Sequence, residues 1–204
     1  MPTQKFINLT ESKKQTILTA MCRELNIPYS EIRISNLIQK AGISRASFYL
    51  YFEDKEDLLG CIAESWVDVI LRKLTEAFRV SDGSYYESMK LWMSQALEND
   101  ISREVWKVYK RVMEEEDFTR KSKMGALQFK ASPKWRQVIE ECYGHMDQSR
   151  YPGLTPEKLA YAVDMGLLAM VQLSMRYVEH YAPLAELKEA AWHQLTILDK
   201  GIRE

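Results

Sequence analysis

Residues 34–59 read ISNLIQKAGISRASFYLYFEDKEDLL, and this segment is the most informative in the chain. Its apolar residues recur at helical spacing as far as Ala41, which indicates a helix with one apolar face. Gly42 follows at once, and a glycine there can adopt a left-handed conformation that ends a helix without steric cost. Ser44 is a favourable N-cap for a second helix. The segment therefore predicts two short helices joined by a glycine turn.

The second predicted helix, Arg45 to Phe52, is more polar and more aromatic than an ordinary core helix. Phe48 and Phe52 are four residues apart and are expected to face inward together, which leaves the arginine and the hydroxyl groups on other faces. Asp54 is the predicted N-cap of a longer helix that begins at Lys55. A helix, a glycine-bearing turn and a second, polar helix make up the helix-turn-helix arrangement, whose second helix enters the major groove of DNA.

The segment resembles the DNA-binding half of TetR-family transcriptional regulators. The resemblance rests on AGIS at 41–44, SFYLYF at 47–52 and DKEDLL at 54–59. It implies an all-α chain with a three-helix helix-turn-helix DNA-binding domain in residues 1–54. Residues 55–204 are then expected to form a helical domain that binds an effector and dimerises.

Arg45 begins the predicted recognition helix, at the end that usually approaches base edges, and its guanidinium is expected to donate twice to guanine O6 and N7. A phosphate contact and a solvated arginine are the alternatives. Ala46 is small enough to meet a thymine methyl group. The other predicted DNA-binding residues are hydroxyl-bearing side chains and a lysine at a helix start, namely Ser35, Ser44, Ser47, Tyr49, Tyr51 and Lys55. Either tyrosine is alternatively a half-buried core residue.

The charge of the chain is unevenly distributed, although the whole chain carries a formal net charge of only −1. Residues 1–52 hold seven basic and three acidic side chains, a net of +4, and the remainder holds 21 basic and 26 acidic ones, a net of −5. Binding to phosphates requires positive charge at the binding end of the molecule. The distribution therefore agrees with double-stranded DNA as a partner of the N-terminal part.

The three cysteines, Cys22, Cys61 and Cys142, show neither metal-type nor redox-type spacing. They are predicted to be buried thiols in a reducing cytosol. The most apolar run, residues 159–178, contains an aspartate, a glutamine and an arginine, so no membrane span is predicted. The protein is expected to be cytoplasmic.

Two C-terminal helices are predicted, one from Thr155 to about Tyr181 and one from Leu184 to the end of the chain. The first is apolar on more than one face and must be covered on more than one face. The second carries apolar residues at alternating three- and four-residue steps, a pattern able to pack against another helix. We expect a homodimer that pairs these helices in a four-helix bundle, and packing within one monomer is the alternative. A two-fold dimer implies a roughly palindromic operator.

Tryptophan and methionine are concentrated in the C-terminal part, and such side chains adapt to irregular apolar shapes. The candidates for lining an effector pocket are Trp92, Met93, Trp106, Tyr109, Met113, Trp135, Met165 and Met170. The alternative is that they fill a helical core. The family resemblance implies repression that is relieved when a small apolar effector binds.

Motifs for catalysis are missing from the sequence: it has no phosphate-binding glycine loop, no nucleophile elbow and no metal-type histidine or cysteine spacing. The acidic run 114–117 points around a helix rather than to one spot, so no metal site is predicted. The chain is therefore expected to be neither an enzyme nor a cofactor-binding protein. A TetR-like co-activator or protein-interaction module without operator specificity is the alternative to a sequence-specific regulator.

Overall fold

The computed structural model describes residues 2–22, 24, 27, 29–98 and 132–203, and within these ranges every regular element is a helix. The predicted all-α fold class is confirmed. The acidic run 114–117 lies outside the described residues. Among the described helices, none combines the length and the hydropathy that crossing a membrane requires.

The N-terminal compact unit extends through Asp68. A 3₁₀ turn at Tyr29–Glu31 precedes the helix-turn-helix segment. The helices are α1 (Gln4–Ile7), α2 (Glu11–Cys22), α3 (Ile34–Ala41), α4 (Arg45–Tyr51) and the first part of α5 (Lys55–Val80). The short helix α1 has no counterpart in the sequence prediction, and it contacts α4.

The turn between α3 and α4 has the predicted geometry. Gly42 has a φ of 62°, the left-handed conformation, and the Ile43 N–H donates back to the Ile38 carbonyl at 3.1 Å. A Cβ added at Gly42 would meet nothing within 4 Å, so the backbone conformation alone is what favours glycine. Ser44 caps α4, since its hydroxyl oxygen accepts from the Ser47 N–H at 3.0 Å.

The core of this unit joins the helix-turn-helix segment to the beginning of α5. Its completely buried side chains are Met21, Leu37, Phe48, Phe52 and Leu58. Leu59, Cys61 and Ile62 of α5 belong to the same cluster. The packing unit therefore continues past the 54/55 boundary that the sequence suggests, because α5 supplies one wall of the N-terminal core.

The second compact unit begins at Val69, within α5. Its other described helices are α6 (Tyr85–Glu98), α7 (Pro133–Gly144), α8 (Pro156–Val178) and α9 (Leu184–Gly201). Thr155 caps α8 as predicted, with its hydroxyl oxygen accepting from the Lys158 N–H at 3.2 Å, and Pro156 occupies the first helical position. Helix α8 contacts α6, α7 and α9, which explains why it is apolar on several faces.

The apolar stripe of α9 is largely covered by its own unit. Leu187, Ala191 and Leu195 are buried, and α9 packs on α8 and α6. These three residues therefore pack within one monomer, which was the alternative to pairing with a second copy. Any surface for a second copy must therefore lie on other faces of the two helices.

None of the three cysteines forms a disulfide. Cys61 and Cys142 are buried as predicted, whereas Cys22 is half-buried. Burial raises the pKa of Cys61 to about 11 and that of Cys142 to about 12. Both thiols therefore stay protonated at neutral pH, as expected of structural cysteines.

Candidate nucleic-acid interface

Helix α4 has an inner aromatic edge and an outer polar face. Phe48 and Phe52 have no exposed surface, and their ring centroids lie 5.6 Å apart. On the outer face Arg45, Ala46 and Tyr49 are exposed to solvent. The two phenylalanines therefore fix the rotation of α4 about its axis, and that rotation presents the predicted base-contacting side chains outward.

The N-terminal end of α4 is preorganised by its own side chains. The hydroxyls of Ser44 and Ser47 are hydrogen-bonded at 2.9 Å. The Arg45 guanidinium carbon lies 5.8 Å from the centroid of the Tyr49 ring, one turn later, in cation–π geometry. This contact holds the arginine along the exposed face while leaving its N–H groups available for a partner.

The two candidate tyrosines of α4 differ in exposure. Tyr49 is 47% exposed. Tyr51 is half-buried, with its ring centroid 5.8 Å from that of Phe6 and 6.4 Å from that of Phe52. The alternative of a partly core tyrosine therefore applies to Tyr51.

The start of α5 is capped by carboxylates. The Asp57 N–H donates to Asp54 Oδ1 at 2.8 Å, and the Glu53 N–H donates to Asp57 Oδ2 at 3.2 Å. These contacts confirm Asp54 as the cap. They also engage the Asp57 amide of the first turn. Lys55 itself is the first residue of α5 and is half-buried.

Ser35 is exposed in the first turn of α3, where its hydroxyl donates to Asn36 Oδ1 at 3.4 Å. The predicted DNA-binding residues thus come from α3, α4 and the start of α5 within one compact unit. The described part of the chain contains no group of three or more histidine, cysteine, aspartate or glutamate side chains arranged to hold a metal ion.

Comparison with known sequences identifies this segment. Residues 24–61 match the family described as bacterial regulatory proteins of the tetR family, and this range holds α3, the glycine turn, α4 and the beginning of α5. Residues 24–61 are therefore similar to the helix-turn-helix domain of TetR-family regulators.

A relative of this chain is the uncharacterized HTH-type transcriptional regulator YdgC of Bacillus subtilis (strain 168), which is 30% identical over 89 residues. That match covers 43% of this chain and 45% of YdgC. Among solved structures, the reduced form of NemR from E. coli superimposes with a TM-score of 0.61 at 18% identity. The superposition covers 91% of this chain and 96% of NemR, and it concerns the fold alone.

The predicted effector-pocket residues fall into three groups. Trp92, Met93, Trp135 and Met170 are buried within the second unit, on helices that contact α8 or belong to it. Trp106, Tyr109 and Met113 lie outside the described residues. Met165 differs from the prediction, because it is 54% exposed on a face of α8 that no described helix covers.

One cleft in the second unit is lined by polar and charged residues. It has a volume of about 450 Å³, is lined by residues that include Asp82, Glu87, Arg150 and Arg203, and contains none of the predicted apolar candidates. The sequence alone does not predict this cleft, because its residues come from three distant parts of the chain, 81–87, 150 and 196–203.

Beside this cleft, Tyr151 is completely buried and links three parts of the unit. Its hydroxyl donates to Asp199 Oδ1 at 2.5 Å and accepts from the Tyr85 N–H at 3.0 Å. Asp199 also accepts from Arg203 Nε at 2.9 Å. Burial, and then the Asp199 carboxylate, raise the pKa of the Tyr151 hydroxyl. The hydroxyl therefore stays protonated and acts as a donor, joining the start of α6 to the end of α9.

Proposed function

We propose that this protein is a transcriptional regulator that binds double-stranded DNA by placing α4 in the major groove. The observation that carries the proposal is that α4 has one buried edge and one face exposed to solvent. Phe48 and Phe52 are fully buried, whereas Arg45, Ala46 and Tyr49 face solvent. A seven-residue helix whose polar face is left uncovered, in a TetR-type helix-turn-helix, fits the docking geometry of this motif.

Within this proposal the side chains have distinct tasks. Arg45 reads guanine through O6 and N7, and Ala46 contacts a thymine methyl group. Tyr49, Lys55 and the hydroxyls of Ser35, Ser44, Ser47 and Tyr51 contact phosphates, which fixes the register of α4 without reading sequence. The exposure of Tyr49 makes it the stronger of the two tyrosine candidates.

The binding site is identified by selecting bound duplexes from a random pool and then measuring affinity for the selected and for random DNA. Arg45→Ala is expected to weaken binding to the selected site by about 5- to 100-fold and to leave random DNA nearly unchanged. Lys55→Ala is expected to weaken binding to both DNAs and to reduce the salt slope by about 1. Equal losses on both DNAs for Arg45→Ala contradict base recognition. Weak, salt-sensitive binding by the wild type without any selected sequence favours the interaction-module alternative.

We further propose a homodimer formed by the exposed faces of α8 and α9. Tyr161, Met165 and Leu168 recur at i, i+4 and i+7 on α8 and are each at least half exposed, and Ile197 of α9 is 70% exposed. An apolar row on a helix surface usually marks a contact with another chain. A two-fold dimer of this kind presents two copies of α4 to a palindromic operator.

Sedimentation equilibrium tests the dimer at micromolar concentration. Leu168→Glu is expected to shift the protein to monomers, because it places a charge in the centre of the apolar row. The control is Val80→Glu, since Val80 is an exposed apolar residue at the end of α5. A monomeric wild type, or a Leu168→Glu variant that stays dimeric, contradicts this interface.

The proposed effector is a small apolar molecule that relieves repression. Support comes from the methionine and aromatic side chains buried in the second unit, where Trp92, Met93, Trp135 and Met170 lie. A ligand acts by preferring the state that does not bind DNA, and its differential affinity sets the size of the shift. Screening apolar compounds by tryptophan fluorescence and thermal shift tests the idea, and a hit must also release the protein from its selected duplex. A diverse screen without hits contradicts it.

A further inference from the structure

The C-terminal end of the recognition helix is capped by a residue from the beginning of the chain. The Thr3 hydroxyl donates to the Leu50 carbonyl at 2.6 Å, and the Thr3 N–H donates to the Tyr51 carbonyl at 2.9 Å. Leu50 and Tyr51 are the last two residues of α4, so neither carbonyl has a partner within the helix. One residue, 47 positions away from Leu50, therefore satisfies both.

The N-terminal segment, Thr3–Ile7, is itself anchored in the core. Phe6 is 3% exposed, and its ring centroid lies 4.7 Å from that of Phe52 and 5.8 Å from that of Tyr51. Thr3 is also the N-cap of α1, with its hydroxyl oxygen accepting from the Phe6 N–H at 3.5 Å. The hydroxyl that caps α4 is thus held in place by the same short helix that packs against it.

A helix of seven residues has little stability of its own, because nucleation is costly and few hydrogen bonds follow. Its ends therefore depend on external partners. Ser44 holds the N-terminal end, and Thr3 holds the C-terminal end. If the second end frays, the axis of α4 tilts and the Arg45 side chain loses its register with the bases.

We propose that Thr3 is a positioning residue, which sets the orientation of the recognition helix on DNA without touching the bases. This inference rests on the proposed function. Sequence selectivity is then more sensitive to Thr3 than general DNA affinity is, because nonspecific binding arises from charge and tolerates a tilted helix.

The test uses the whole chain with Thr3→Val, which keeps the shape of the side chain and removes the hydroxyl. Thr3→Ser retains the hydroxyl and should behave as wild type. The matched control is Gln4→Ala, since the Gln4 side chain is exposed and donates to Oδ1 of Asn8, the C-cap of α1. Thr3 is only half-buried, so all three variants are expected to fold.

The first measurement is amide hydrogen exchange without DNA, followed on the peptide that contains α4 and Phe52, whose N–H is bonded to the Phe48 carbonyl at 2.8 Å. Thr3→Val is expected to speed exchange there by about 3- to 10-fold, which corresponds to the loss of one hydrogen bond. Gln4→Ala and Thr3→Ser leave it unchanged. Unchanged exchange in Thr3→Val overturns the capping role.

The second measurement is the ratio of affinities for the selected and for random duplexes. Thr3→Val is expected to lower this ratio by about 3- to 10-fold, with rescue by Thr3→Ser. Faster exchange with an unchanged ratio overturns the positioning role and makes the contact purely structural. Faster exchange in a protein whose wild type prefers no sequence overturns the proposed regulator function instead, and leaves the capping of α4 by Thr3 supported.

Discussion

Substitution of Ser44 separates the stability of the recognition helix from its affinity for DNA. The Ser44 hydroxyl oxygen accepts from the Ser47 N–H at 3.0 Å at the N-terminus of α4. Ser44→Ala removes this cap and is expected to lower the free energy of unfolding by about 1 kcal/mol. Ser44→Asp keeps an acceptor for the same amide and adds a negative charge that suits the helix dipole. Its free energy of unfolding is expected to lie within about 0.5 kcal/mol of the wild-type value.

Ser44→Asp is expected to bind DNA more weakly than Ser44→Ala, although it is the more stable of the two variants. A negative charge about 5 Å from a phosphate costs about 0.8 kcal/mol in water, and two phosphates within that range weaken binding by about 10-fold. Ser44→Asp should therefore bind the selected duplex about 10-fold more weakly at low salt. Ser44→Ala introduces no repulsion and should stay within about 3-fold of the wild type.

Two assays on the same preparations give the answer. Urea unfolding followed by circular dichroism measures the stability, and fluorescence anisotropy with a labelled duplex at several salt concentrations measures the affinity. If Ser44→Asp binds as tightly as the wild type at low salt, the start of α4 does not lie near phosphates. If Ser44→Asp unfolds as early as Ser44→Ala, the hydroxyl of Ser44 is not acting as a cap.

Three further predictions concern the two packed units. Gly83 has a φ of +69°, and a Cβ there would lie 2.5 Å from the Asp147 backbone nitrogen. Gly83→Ala is therefore expected to lower the free energy of unfolding, measured in urea, by about 3 kcal/mol or more. Gly42→Ala is expected to lower it by only about 1–2 kcal/mol, because a Cβ at Gly42 meets open space. Equal losses for the two variants contradict the steric argument. Tyr151→Phe removes the buried hydrogen-bond partner of the Tyr85 N–H and of the Asp199 carboxylate. It is expected to lower the free energy of unfolding by about 2–3 kcal/mol and to lower the thermal midpoint. An unchanged midpoint shows that the hydroxyl is not needed for stability. The pKa of Cys61 is about 11 in the folded protein against an ordinary 9.0, so its protonated thiol stabilises the fold fully below pH 9, and this contribution is lost as the pH rises through 11. The stability difference between the wild type and Cys61→Ala should shrink over that range in urea unfolding, and a constant difference contradicts the raised pKa.

The helix-turn-helix segment was predictable because its determinants are local. The left-handed Gly42, the Ser44 cap and the four-residue spacing of Phe48 and Phe52 each act over a single turn of chain. Asp54 likewise caps α5 through the N–H of a residue three positions later. Signals of this range are visible in the order of residues alone.

The cap on the other end of α4 was not predictable in this way. Thr3 and Leu50 are 47 residues apart, and a four-residue helix such as α1 is too short to show a periodic pattern. The hydrogen bond from Tyr151 to Asp199 joins residues 48 positions apart, and no local pattern in the sequence predicts it. Contacts of this kind depend on how the chain folds back on itself.

Helices that are apolar on several faces present a different difficulty. The periodicity of α9 predicts a packing face, but the choice between its own chain and a second copy depends on which neighbours exist. Leu187 and Leu195 are covered within the unit, whereas Met165 of α8 is left exposed. Met165 is therefore better suited to a surface contact than to the internal pocket that the methionine and tryptophan content of the C-terminal part suggests.

Replacing guanine by 7-deazaguanine at each position of the selected duplex tests whether the open face of α4 lies in the major groove. The substitution removes N7, an acceptor that only the major groove presents. The wild type should lose about 5-fold or more in affinity at one or more positions in each half-site, and Arg45→Ala should lose nothing further at those positions. A wild type that tolerates every such substitution, or an Arg45→Ala variant that remains just as sensitive, contradicts base recognition by this helix.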